Sequence, residues 1–198
     1  MAVGTGFFAE VDEVTLGRAR RGDLDAVASL YRTFATPVYN LGRRLCGSPE
    51  EADDVLQETF LEVVRSIPRF RGEGALGAWI RRVAASKALT RLRRRAGAGE
   101  ATDLAEADEF TARDLAVDHR LDVEAALARL PGTARAVVWL HDVEGLTHAE
   151  IALLTGKSES FSKSQLARAH ARMRQWLGRL GSEVHASRER RAVGAEGR

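Results

Sequence analysis

The chain has 198 residues, 44% of them hydrophobic, and 30 basic against 28 acidic side chains leave a net charge of only +2. The single cysteine, Cys46, excludes an intrachain disulfide, and no Cys/His group falls at metal-ligand spacing. The opening MAVGTGFFAEVDEV lacks the basic and long apolar stretches of a signal peptide, and no apolar run approaches membrane-spanning length, so a soluble cytoplasmic protein is expected.

Few prolines, abundant Ala, Leu, Arg and Glu, and no β-branched runs predict an all-α fold. Residues 1–15 read as a flexible N-terminus, and a first module starts near Leu16. From Asp23, the residues Leu24, Val27, Leu30, Tyr31, Phe34, Val38, Leu41 and Leu45 recur at helical spacing. Pro37 interrupts that pattern and predicts a kink or short break. Cys46 continues the stripe as a packed thiol. Ser48, Pro49 and Glu51 then read as N-cap, first helical residue and capping-box partner of a second helix reaching about Ile67. Its Val55, Leu56, Phe60, Val63 and Ile67 point inward, leaving Asp54, Gln57, Glu58 and Glu62 outside. A loop of Pro68 and three glycines follows, and then a third helix from near Ala75 with Leu76, Trp79, Ile80 and Val83 as its stripe.

Residues 96–120 have the acidic, small-residue composition of a linker. A second module occupies 121–180: a short helix stopped by Pro131-Gly132, another through Val137, Val138, Leu140 and Val143, and two helices around Gly156. Thr147 with Glu150 forms a capping box. Ser158 caps a last helix whose Leu166, Ala169, Met173 and Trp176 recur at three- and four-residue steps, a helix-turn-helix pattern. Residues 181–198 read as a disordered tail.

The low net charge conceals segregation. Residues 50–62 hold six acids and no base, 65–95 hold ten bases against Glu73 alone, and 162–179 hold five bases and no acid. Two basic modules flanking an acidic connector point to a polyanion partner. On the last helix Lys163, Ser164, Ala167, Arg168 and Arg172 share the face opposite the apolar stripe, where Lys and Arg can donate to guanine in a major groove. The Gly74–Arg95 segment sets Trp79 beside a glycine loop and a line of arginines, the combination that holds single-stranded nucleic acid through stacking and phosphate pairing. Each basic run taken singly also reads as a solvated face, and Trp79 alone as a core packing residue. The acidic 50–62 helix suits a basic protein partner or is an ordinary solvated face.

The order of these pieces resembles the sigma-70 family of bacterial transcription initiation factors, in its compact extracytoplasmic-function type, over about residues 16–180. EEADDVLQETFLEVV is similar to the family's core-polymerase-binding helix in region 2. RFRGEGALGAWIRRVAASKALTRLRRR resembles its −10 recognition and melting segment, and LARLPGTARAVVWLHDVEGLTHAEIALLTGKSESFSKSQLARAHARMRQWL resembles region 4, which reads the −35 element. The resemblance implies region 2 over 16–95 and region 4 over 121–180. It implies docking on core RNA polymerase, through Asp53, Asp54, Gln57 and Glu58 at the β′ clamp helices, with the β flap as a further contact. It assigns −10 DNA to Arg71, Gly74, Ala75, Leu76, Trp79, Arg82, Ser86 and Lys87, and −35 DNA to Ser158, Lys163, Ser164, Gln165, Arg168 and Arg172. In the family one −10 base is extruded into a pocket at the loop and helix start, a step costing a few kcal/mol. No cofactor or metal is implied; an anti-sigma factor is, and the linker is expected to thread towards the RNA exit channel. Leu76 and Ser86 stand where many relatives have Phe and Asn, and Phe161-Ser162 and Gln165 where relatives usually have Gly-Thr and Arg, so the promoter sequence does not transfer.

Two other readings compete. A stand-alone helix-turn-helix regulator would bind duplex DNA without polymerase. A nucleic-acid enzyme would need clustered acids or a nucleophile with a base, whereas the five histidines are scattered along the chain.

Overall fold

The structure, a computed structural model, describes residues 6–72, 74–97 and 119–195. Helices α1 (Glu13–Arg20), α2 (Leu24–Cys46), α3 (Pro49–Ser66) and α4 (Leu76–Gly97) form the first module, with a 3₁₀ turn at Ile67–Arg69. The second comprises α5 (His119–Ala128), α6 (Gly132–Val138), a π turn at Trp139–Val143, α7 (His148–Thr155) and α8 (Glu159–Ala195). Among the described residues there is no strand, as the composition requires, and no helix is long and apolar enough to cross a membrane.

The first three helices each start at a short polar side chain. Asp12 and Asp23 accept the backbone N–H of Thr15 and Ala26, and Ser48 accepts that of Glu51. At the end of α2, Gly47 takes φ +94°, a left-handed cap that side-chain-bearing residues disfavour. Against expectation, α2 runs unbroken through Pro37. Phe34, Val38, Leu41 and Leu45 on either side are all buried, and this packing outweighs the roughly 3 kcal/mol cost of an interior proline.

Three further expectations are corrected. The segment before residue 16 is not loose where it is described: Phe7 is buried against α4, and α1 already starts at Glu13. The backbone after Gly181 stays helical to Ala195, which Ala, Arg and Glu in this stretch favour. Val143, expected inside, is exposed, because the π turn shifts the inward register to Leu140 and Leu146. Most of the 96–120 linker, residues 98–118, lies outside the described residues.

The modules do not stand apart. Ala136, Val137, Leu140, Leu146 and Ile151 of the second belong to the same buried cluster as Leu41, Leu45, Ala85 and Leu89 of the first. A smaller cluster, Leu127, Leu130, Ala134, Val138 and Ala169, seats α8 on α5 and α6.

Candidate functional site

Three surfaces carry the residues singled out above. The first is a cleft of about 640 Å³ between α2 and α3. Leu24, Val27 and Tyr31 from α2 face Leu61 and Val64 from α3 across it, with Asp53, Asp54 and Gln57 at one end. Leu24 and Leu61 remain 82% and 50% exposed, a high value for leucines in a folded chain. Helical spacing explains the layout, since 53, 57, 61 and 64 fall on one face of α3.

The other face of α3 behaves differently from what the sequence suggested. Its acids form a ladder of ion pairs with α4: Arg95 with Glu51 at 3.3 Å, Arg91 with Asp54 at 2.9 Å and Glu58 at 2.7 Å, and Lys87 with Glu62 at 3.4 Å. The Ser66 hydroxyl and the Lys87 ammonium hold the Glu62 carboxyl below the usual carboxylate range. Glu58 and Glu62, expected on the outside, are therefore half-buried inter-helix partners, and Glu51 turns its carboxylate to Arg95. Asp53, exposed beside Gln57, takes part in none of these pairs.

The second surface is the glycine loop and the first turns of α4. Gly72 and Gly74 take φ +78° and +89°, so the loop needs residues without a Cβ. Arg71, Gly74, Ala75 and Arg82 are exposed, and Ser86 and Lys87 are half-buried. Trp79 is half-buried against the Phe70 ring, centroids 5.2 Å apart, and Arg20 lies over that phenyl group. Leu76 is corrected as a contact residue: only 8% of it is exposed, and it belongs to the core. Lys87 and Arg82 each already hold a carboxylate, Glu62 and Glu150 respectively.

The third surface is the helix-turn-helix. The Thr147–Glu150 capping box forms with both reciprocal hydrogen bonds, Gly156 takes φ +66° at the turn, and the Ser158 hydroxyl accepts the Phe161 N–H. Lys163, Ser164, Ala167 and Arg168 form an exposed face; Arg172 is half-buried and engaged within the protein. Gln165 is corrected: it is 2% exposed with its Nε2 unpartnered, so its side chain is not on the outer face. The spacing held the signal, since Gln165 lies one helical turn before inward-facing Ala169.

Sequence order hid one constellation. His141, His148 and His170 meet although they are far apart in the chain, which corrects the view that all five histidines are scattered. Asp142 takes the His141 Nδ1 at 3.0 Å and the His170 Nε2 at 2.6 Å, the His141 and His148 rings stack at 4.4 Å, and His148 Nδ1 meets the buried Ser162 hydroxyl at 2.9 Å. Among the described residues no group of three or more His, Cys, Asp or Glu is arranged to hold a metal ion. Burial first, then the nearby His141 and Lys163, push the His148 pKa below its ordinary value, with Glu159 and Asp142 opposing.

The sign follows. The unfolded chain takes up this proton first, so the neutral ring's contribution is complete above about pH 6.5 and is lost as pH falls towards the folded-state pKa. Thermal melts followed by tryptophan fluorescence should show Tm dropping between about pH 7 and pH 5, with a shallower slope in His148→Gln. An equal slope in both proteins would remove His148 as the cause.

Comparison with known proteins identifies the two modules. Residues 30–97 match the family model for sigma-70 region 2, and residues 120–173 that for sigma-70 region 4. The chain is 34% identical over 188 residues to the ECF RNA polymerase sigma factor SigM of Mycobacterium tuberculosis, covering 94% of this chain and 95% of that one. It is also 34% identical to SigE of Mycolicibacterium smegmatis, covering 84% and 68%. Among solved structures, CnrH in complex with the cytosolic domain of CnrY matches in fold with a TM-score of 0.54 at 21% identity, covering 85% of this chain and 98% of that one. RpoE of Bartonella quintana, crystallised with the anti-sigma factor NepR, gives 0.54 at 18% identity, covering 76% and 96%.

Proposed function

We propose a division of labour among these surfaces from one premise: this chain belongs to the sigma-70 family of RNA polymerase sigma factors, in its extracytoplasmic-function branch. It directs promoter-specific initiation of transcription and is not itself an enzyme; the catalysis is the polymerase's. It works in the cytoplasm, at the nucleoid. The α2–α3 cleft docks on core polymerase, with leucines giving apolar area and Asp53 meeting a basic surface. The glycine loop and α4, with Arg71, Trp79 and Arg82, engage the −10 strand as it opens. The Lys163, Ser164 and Arg168 face of α8 reads the −35 duplex, and the capped start of the helix adds amide donors for a phosphate. An anti-sigma protein is the further partner, drawn to the same exposed leucines when no polymerase is bound.

The observation that carries this reading is the presence, in one chain, of an acid-ended apolar cleft beside a basic helix and a separate helix-turn-helix with a basic outer face. A free-standing regulator needs only the last of these. The test is transcription in vitro with purified core polymerase over a promoter library. Selective initiation is expected with both proteins together, and duplex binding by the chain alone should be weak. Tight, selective duplex binding without polymerase would favour the stand-alone regulator.

Within this scheme Arg168→Ala is expected to lose about 1–3 kcal/mol of discrimination at one base pair if the guanidinium donates to a base edge. A loss spread evenly over sequences, with a shallower salt dependence, would identify a phosphate contact instead. Promoter-variant transcription at two ionic strengths separates the outcomes.

A further inference from the structure

Helix α1 ends against the glycine loop. The Arg20 guanidinium, in its last turn, lies 5.7 Å from the centre of the Phe70 ring, and Phe70 packs on Trp79 with centroids 5.2 Å apart. A cation, a phenyl ring and an indole therefore form one stack from the end of α1 to the start of α4. An Arg20 Nη also stands 3.7 Å from the place a Cβ would take at Gly72, where φ is +78°. The guanidinium thus lies beside both the aromatic wall and the backbone of the loop.

Its charge is uncommitted, unlike that of its neighbours. Arg18, on the same helix, is held by Asp23 at 2.9 Å. On α4, Lys87, Arg91 and Arg95 are taken by the acids of α3, and Arg82 by Glu150. Among the described residues Arg20 has no carboxylate partner, and its Nε is buried without a hydrogen-bond acceptor. The contacts within the chain therefore leave this guanidinium short of acceptors, which costs free energy.

A cation–π contact uses the face of a guanidinium and leaves its edge of N–H donors for another partner. That edge is the part that can bind two phosphate oxygens at once. A single strand offers a flat base and an anionic backbone together, and its sites set cations beside aromatic rings. Arg20, Phe70 and Trp79 are such a set, with the exposed Arg71 next to them.

Resting on the sigma-factor reading and its placing of the −10 strand at this loop, we infer that Arg20 is a further DNA contact. Its guanidinium keeps its face on Phe70 and donates from its edge to one backbone phosphate of the opened strand. Phe70 is the positioning residue, since its ring fixes the plane of that edge. Residue 20 precedes the region 2 match, which begins at residue 30, so the family pattern does not assign this contact.

The test is binding of holoenzyme, assembled from the full chain and core polymerase, to the single-stranded −10 segment of a promoter selected in the library transcription. Arg20→Gln keeps a long stem and a planar end but removes the charge, and Arg20→Lys keeps the charge without the planar fork. Fluorescence anisotropy should show Arg20→Gln binding roughly tenfold more weakly. Its slope of log K against log salt should be shallower by about 0.7, the share of one phosphate on a single strand. Arg20→Lys should restore that slope. Phosphates replaced singly by uncharged methylphosphonate should locate the partner: one position weakens wild type as much as Arg20→Gln does, and costs Arg20→Gln nothing more. If circular dichroism shows Arg20→Gln unfolded, Arg20→Lys carries the same comparison, because without the fork that position should cost it less than wild type. A variant with the wild-type salt slope, or methylphosphonate effects equal in variant and wild type at every position, overturns the contact and leaves the sigma reading intact. Failure to form holoenzyme, or a holoenzyme that ignores the −10 strand, overturns the sigma reading instead.

Discussion

Replacing Asp53 and Leu61 together by arginine should abolish capture by core polymerase while leaving the helical fold in place. Both side chains are exposed and both line the α2–α3 cleft. Neither appears in the ion-pair ladder to α4. The substitution puts one cation on the apolar wall and reverses the charge at the acidic end. Central apolar anchors of an interface typically cost about 2–4 kcal/mol when lost, so at least about 30-fold weaker binding is expected. Fluorescence anisotropy against labelled core enzyme measures it, and circular dichroism checks the fold. Asp54 and Glu58 are poorer choices. Each already holds Arg91, so removing either mixes a docking effect with loss of an internal pair and leaves that guanidinium half-buried with fewer acceptors. If the double arginine variant binds polymerase as wild type does, the cleft is not the docking surface.

Local chemistry was readable where one stretch of chain decides the outcome. The caps at Ser48 and Thr147 and the turn at Gly156 depend on a few neighbouring residues, and each formed where the sequence placed it. Outcomes set by distant neighbours were not readable. Pro37 looked like a break because an isolated helix would pay its full cost, and only the apolar stripe around it reverses that balance. The acids of α3 looked like one docking face because their partners, Lys87, Arg91 and Arg95, lie over 20 residues further along. Gln165 looked like a groove-reading residue by type, yet it is buried in the interior. The contact between modules was not readable either, because Ala136, Val137, Leu140, Leu146 and Ile151 read equally well as the second module's own core. A polar residue at an inward position, such as Glu144 or Gln165, is where sequence type and register disagree, and there register was the better guide.

Gly77→Ala tests the join between the N-terminal segment and the start of α4, and two effects of opposite sign compete in it. Alanine in a helix is favoured over glycine by about 1 kcal/mol. A Cβ at residue 77, however, would sit 1.9 Å from the Phe7 carbonyl oxygen and 3.1 Å from the Phe34 ring. The first neighbour is backbone and cannot turn aside, so Phe7 must leave its buried site. Losing a buried phenylalanine costs about 1.5–3 kcal/mol, and overpacking adds to this, so the steric effect exceeds the propensity gain. Net destabilisation of about 2 kcal/mol is expected, read by chemical denaturation. Gly178→Ala supplies the control, because its added Cβ meets nothing within 4 Å on α8 and only the propensity gain remains. The damage at residue 77 should also reach function, since Leu76 and Trp79 lie within a turn of it and the glycine loop enters the helix there. Promoter opening should therefore weaken in Gly77→Ala even at temperatures where the chain stays folded. A Gly77→Ala protein as stable as wild type would mean that the N-terminal segment does not pack on α4 in solution.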